Sequence, residues 1–173
     1  PALIDAITQR VLDNRYRYDD PLPDGRIDHL WYWSENHRVI TLSNEYLAGQ
    51  FFPDERFTVT GLTGAEHRER ARPEILDWIH ERARFGFFEW HSNVYMAKNI
   101  TPLLSLVELV EDDEELVLAA AMALDLCLID MASHYHQGAY VAPMGRTYKK
   151  DKMTARDEDV YDVAKFLFDR TPT

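Results

Sequence analysis

Residues 114–138 read EELVLAAAMALDLCLIDMASHYHQG, and this stretch decides the fold. Leu116, Val117, Ala120, Leu124, Cys127, Leu128 and Met131 place apolar groups nearly all round a helix running from about Glu114 to His136. Such a helix is buried among other helices, and Gly138 supplies its stop. The acidic run Glu111 to Glu115 reads as a tight turn followed by a helix N-terminus, where carboxylates complement the dipole. Before that turn, Thr101-Pro102 reads as an N-cap followed by proline at the first helical position, and Leu103, Leu106, Val107 and Val110 continue at helical spacing. Two helices joined across Glu111-Asp112-Asp113 pack antiparallel. The chain is therefore expected to be all-α, built of antiparallel helical hairpins.

Working outward, four more helices are predicted. Leu3, Ile4, Ile7, Val11 and Leu12 mark one from Ala2 to Asn14, and Asp19-Asp20-Pro21-Leu22-Pro23-Asp24-Gly25 breaks the chain after it. A second runs from about Ile27 to Ala48 with Gly49 as its C′ residue. The segment Phe51 to Leu62 is a loop, with Phe57-Thr58-Val59-Thr60 a short extended piece. Thr63-Gly64-Ala65-Glu66 has the form of a capping box and opens a helix to about Arg84 that Pro73 should kink or divide. Residues from Ala139 to Met153 read as a loop, and Val160, Val163, Ala164, Leu167 and Phe168 mark a last helix, about Asp157 to Arg170. No strand pair and no fixed-period repeat is expected.

The 173 residues are enough for one domain with a core, and 46% are apolar. The net charge of -11 argues against a nucleic-acid partner and against an anionic membrane surface. Leu116 to Met131, interrupted by Asp125 and Asp130, is shorter than the roughly 20 residues a bilayer needs. The start Pro1-Ala2-Leu3-Ile4 has no signal-peptide character, which points to the cytoplasm, although a chain beginning without Met leaves room for an upstream segment. The single cysteine, Cys127, reads as a buried small hydrophobe.

Four segments carry chemistry. In Trp31-Tyr32-Trp33-Ser34-Glu35-Asn36-His37, aromatics and polar groups crowd one short stretch. At about 100° per residue Glu35 and His37 point nearly opposite ways, while Asn36 and His37 can share a cleft. Gly145-Arg146-Thr147-Tyr148-Lys149-Lys150-Asp151-Lys152 is a basic cluster in an acidic protein; Arg146 offers a fork for a carboxylate or phosphate, and Tyr148 a phenol. Phe85 to Tyr95 joins two helices and is dense in aromatics and hydrogen-bonding groups, among them Glu89, Trp90, His91 and Asn93, a composition suited to sugar rings and equally to a buried loop. His134 and His136 have the wrong spacing for two metal ligands on one helix face; His134 shares the stripe of Ala120, Cys127 and Met131 and reads as a core histidine. A zinc set of His37, His134 and Glu35 has no support in spacing.

Trp33-Ser34-Glu35-Asn36-His37, Gly86-Phe87-Phe88-Glu89-Trp90-His91-Ser92-Asn93-Val94-Tyr95 and Gly145-Arg146-Thr147-Tyr148 together resemble bacterial proteins related to the (α/α)-toroid superfamily of chondroitin AC and alginate lyases. The resemblance spans about Ile27 to Met153. It implies part of an (α/α) toroid, with a further chain segment or a second subunit completing the ring, since six helices make roughly half of one. The family's Asn-His motif matches Asn36-His37, and its Tyr and Arg match Tyr95 or Tyr148 and Arg146. The implied activity is β-elimination on a uronate-containing glycan. Asn36 and Arg146 would neutralise the carboxylate, His37 or a tyrosine would take the proton, and Tyr148 or Tyr95 would protonate the leaving oxygen. Trp33, Glu35, Glu89, Trp90, His134 and Lys149 would bind substrate, with no cofactor and no metal. Two alternatives stand beside it: a non-catalytic helical scaffold, and a glycoside hydrolase using Glu35 and Glu89.

Overall fold

The computed structural model describes residues 2–22 and 27–169. Its six α-helices are α1 (Ala2–Leu12), α2 (Glu35–Phe51), α3 (Gly64–Phe85), α4 (Tyr95–Leu109), α5 (Glu114–His134) and α6 (Tyr161–Phe168). The predominantly helical class expected from the sequence is what forms. Two hairpins make the body. In the first, the end of α2 meets the start of α3, where Gly49 and Gly64 touch, and the start of α2 meets the end of α3, where Trp78 Nε1 donates to the Glu35 carbonyl at 3.0 Å. The second hairpin is α4–α5. The two stack with α2 on α4 and α3 on α5, and Val39, Tyr46, Ile75, Trp78, Leu103, Leu106, Leu116, Cys127 and Met131 fill the space between them.

The Thr63 capping box forms as predicted: its hydroxyl accepts from the Glu66 amide, and the Glu66 carboxylate accepts from the Thr63 amide. Pro73 neither ends nor divides α3, which runs unbroken through it; Arg17 Nη2 donates to the carbonyl of Arg70, one turn earlier, at 2.8 Å. Gly49 does not terminate α2. It lies inside the helix because a Cβ there would come 2.3 Å from the Gly64 carbonyl oxygen. Only glycine lets the two backbones approach this closely.

Other boundaries differ from expectation for local reasons. α2 begins at Glu35 with Ser34 as N-cap, so Trp31, Tyr32 and Trp33 lie ahead of the helix. α4 begins at Tyr95, six residues before Thr101. Its free amides are met by the Ser92 hydroxyl, which accepts from Val94 and Tyr95, while Thr101 turns its hydroxyl back to the Ala97 carbonyl. The stretch Phe57 to Thr60 is a turn, with Phe57 fully buried against His67. A strand pair does exist: Tyr135–His136 (β1) pairs antiparallel with Ala139–Tyr140 (β2). Gln137 and Gly138 both take positive φ between them, as a two-residue hairpin turn requires, and this ends α5 at His134. The last helix starts at Tyr161 rather than Asp157, and the expected end at Arg170 lies outside the described residues, as do Pro23 to Gly25 of the predicted chain break.

Cys127 is buried and its thiol pushed up by desolvation, as a core residue's would be. The expectation that the Leu116–Met131 stretch is too short to span a bilayer needs correction. By length and composition α5 is long and apolar enough to cross one, with 21 residues and a mean hydropathy of 2.0 over its most apolar window. It buries Leu116, Ala120, Ala123, Cys127 and Met131 and leaves Leu118, Met122 and Ile129 exposed.

Candidate functional site

The connection from Gly86 to Val94 is held in place by residues far away in the chain. Gly86 takes φ 75° and turns the backbone out of α3. The Trp90 carbonyl then accepts from the Gly145 amide at 3.0 Å. Ser92 Oγ donates to the Arg146 carbonyl at 2.6 Å, and Asn93 Nδ2 donates to the Asp151 carbonyl and to Glu158 Oε1, each at 3.2 Å. A Cβ at Gly145 would sit 2.8 Å from the Trp90 oxygen, so the two segments meet backbone to backbone. From beneath, Glu35 anchors the same loop: its carboxylate accepts from the Phe88 amide at 2.6 Å and from Asn99 Nδ2 at 3.2 Å, with Arg82 Nη1 at 3.4 Å. Burial pushes the Glu35 carboxyl above its ordinary range despite these three partners.

This stitching brings together four of the residues expected at the site. The hydroxyls of Tyr95 and Tyr148 share a hydrogen bond at 2.5 Å. The Arg146 guanidinium stands 4.5 Å over the Tyr95 ring and donates to Glu89 Oε1 at 2.7 Å. The two phenols are driven apart in acidity. Desolvation, and then the bond to Tyr148, raise Tyr95 to about 12; the bond from Tyr95, and then Arg146, hold Tyr148 below the usual phenol value. Glu89 Oε2 is buried without a partner, as are Asn93 Oδ1, Thr147 Oγ1 and Glu158 Oε2 nearby in the stitched segments.

The remaining expected residues lie as follows. Asn36 is buried and its side chain meets the Ser34 hydroxyl; His37 Nδ1 meets the same hydroxyl at 2.5 Å. Their contacts thus belong to the start of α2. Glu35 is interior, and Lys149 is exposed. Trp90 is half exposed. Trp33 stacks edge-on with Tyr18 and Trp31 beside a hollow of about 500 Å³ that Tyr32, Arg17, Arg38 and Glu74 also line, a lining that includes none of the four gathered residues.

His134 is not a core histidine. A quarter of its side chain is exposed, and its ring lies 4.2 Å from that of His91. Asp130 stands between them, with Oδ1 at 3.1 Å from His91 Nδ1 and 3.5 Å from His134 Nδ1. The partnership of His91 with Asp130 escaped sequence reading. One half of it was legible, since Asp130 and His134 stand four apart on one helix face; the other half depends on how the loop folds. Searches against family models, curated proteins and solved structures return no match for the chain.

Proposed function

We propose that the chain is the helical, substrate-handling part of a carbohydrate-active lyase acting by β-elimination on a uronate-containing glycan, its stacked hairpins forming part of an (α/α) toroid. The observation that carries this reading is the hydrogen-bonded Tyr95–Tyr148 pair with Arg146 packed over it. In this scheme Tyr148, as its phenolate, takes the proton from the carbon next to the uronate carboxylate, with the Tyr95 hydroxyl in hydrogen-bond contact and Arg146 beside the pair. The electrons of that C–H bond form the new C=C bond, and the bond to the leaving glycosidic oxygen breaks. Tyr95, the weaker acid by ordinary standards but correctly placed, gives its proton to that oxygen. Transfer of the proton now on Tyr148 to the Tyr95 phenolate along their shared hydrogen bond restores the pair. Arg146 supplies positive charge for the substrate carboxylate, which stabilises the developing negative charge. Both proton transfers occur at adjacent oxygens, so elimination is syn. In this scheme Glu35 supports the loop rather than meeting substrate, and Asn36 and His37 hold the start of α2.

A second reading, a helical scaffold without catalysis, is favoured by the ion pair that Glu89 already makes with Arg146 and by the burial of Glu35 and Asn36. The burial of Glu35 weighs against the Glu35–Glu89 hydrolase alternative.

Incubation with alginate, hyaluronan and pectate, followed by the ultraviolet absorbance of the conjugated unsaturated product, separates the two. The lyase reading expects product from at least one polymer and a loss of about 100-fold or more in rate for Tyr148→Phe. Silence on all three sinks it and leaves the scaffold.

A further inference from the structure

We propose that His91, Asp130 and His134 form a binding site for one divalent cation of the zinc class, which fastens the site loop to α5. One ligand atom from each residue lies within 4.8 Å of the others, a separation that a small inward movement closes to the spacing of ligands about 2.0–2.1 Å from a metal. Two imidazoles and one carboxylate are a borderline-soft set. They favour zinc and its d-block neighbours over magnesium or calcium, which take oxygen ligands. Three protein ligands leave a fourth position for water or another small ligand. All three side chains are about one quarter exposed, so an ion can enter from solvent.

The surroundings match what metal ligands require. His134 Nδ1 donates to the Asp130 carbonyl at 2.7 Å, which fixes that ring's tautomer and leaves its free lone pair on Nε2. The Tyr140 hydroxyl donates to Asp130 Oδ2 at 3.4 Å. Bonds of this kind orient ligands around a metal. His91 is delivered by a residue in the left-handed region, φ 51°, uncommon for a side chain other than glycine. The two imidazole rings are tilted with their centroids 4.2 Å apart, and Asp130 Oδ1 lies 3.1 Å from His91 Nδ1 and 3.5 Å from His134 Nδ1, so one carboxylate reaches both rings. This inference stands apart from the lyase reading, because none of the three residues has a part in the proton transfers.

The test is a titration of zinc into the untagged, chelator-treated chain, read by calorimetry and by tryptophan emission, to which Trp90 contributes from 4.9 Å away from the His91 ring. One equivalent should bind, unmoved by excess magnesium or calcium, and cobalt should give the visible absorption of a low-coordinate site. His91→Ala and Asp130→Asn should each weaken binding by more than about 100-fold, beyond the roughly 10- to 100-fold that loss of an outer partner costs. His80→Ala, at an exposed histidine of α3, should not. His134→Gln provides a second route if either variant fails to fold. No saturable binding, several weak equivalents displaced by magnesium, or equal losses in the His80 variant would each overturn the site.

Discussion

Two polar clusters stand at opposite ends of the α2–α3 hairpin, and they are built on different terms. At one end, Glu45 is wholly buried and every neighbour is a donor: His67 Nδ1 at 2.8 Å, Arg17 Nε at 2.8 Å and Arg70 Nε at 2.7 Å, with Arg70 reaching on to Asp20. Burial alone would raise the Glu45 carboxyl, but the bonds from His67 and Arg17 outweigh it and hold it low. No atom of this cluster is buried without a partner among the described residues. At the other end, Glu89, Asn93, Thr147 and Glu158 each keep a buried oxygen without one, and Tyr95, Tyr148, Arg146, His91 and His134 reach solvent. A satisfied network rigidifies a fold; a half-satisfied one holds interaction capacity that the chain itself does not consume. Burial of charge by itself therefore does not distinguish the two ends, since both hold a buried glutamate; unmet hydrogen-bonding capacity beside solvent does.

The comparison breaks most visibly at the closed end. Glu45→Ala leaves two arginines and a buried histidine facing a hole, and should cost about 3–5 kcal/mol in urea unfolding. A loss under about 1 kcal/mol would mean that the network is replaceable and the contrast false. Next comes Tyr148→Phe, whose large effect on turnover should come with a stability change within about 0.5 kcal/mol, since that hydroxyl stands at the surface. A matching loss of stability would make the tyrosine pair a structural strut.

The sharpest contrast with the smallest amplitude lies within α2, between its two buried glutamates. The folded-state pKa of Glu45 is lowered, so its contribution is present above the unfolded value near 4.5 and disappears as pH falls through the folded value. The folded-state pKa of Glu35 is raised, so its protonated form is the one the fold prefers. Its contribution is present below about 4.5 and is lost as pH rises through the raised value. Urea melts from pH 7 to pH 4 should therefore show the gap between the wild type and Glu45→Gln narrowing on acidification, while the wild type gains relative to Glu35→Gln. At neutral pH, Glu35→Gln should cost no more than about 1 kcal/mol. Parallel behaviour of the two variants would show that both carboxylates sit in equivalent surroundings.

Features set by a few neighbouring residues were readable from the chain. Thr63 and Glu66 satisfy each other's amides across three positions, and nothing distant intervenes. The apolar circumference of α5 was legible but misled on burial: its core face is buried, while Leu118, Met122 and Ile129 on the other side are exposed. Thr101-Pro102 misled because the start of α4 is decided by the Ser92 hydroxyl, whose own placement depends on the Arg146 carbonyl 54 residues away. Trp31 and Trp33 fall outside α2 because Ser34 and Glu35 begin it; aromatic spacing alone does not tell a helix from the extended run before one. The meeting of Tyr95, Arg146, Tyr148 and Glu89 followed the grouping of motifs, whereas the directions of the two phenols depend on the desolvation of Tyr95 and on their shared bond, which only the fold supplies. His91 with Asp130 was invisible, since spacing between histidines points to a metal only when both stand on one element.

The hydrogen on Gly145 has a consequence for timing. The stitch it permits joins residues more than fifty positions apart, as the Tyr95–Tyr148 bond does. Long loops of this kind close after local helices have formed. While the chain is being synthesised, every helix through α5 can exist before the phenols ever meet, so whatever reactivity they carry stays dormant until the segment after α5 has docked. Alanine at that single position would leave the helices standing and hold the protein in its unarmed, juvenile form.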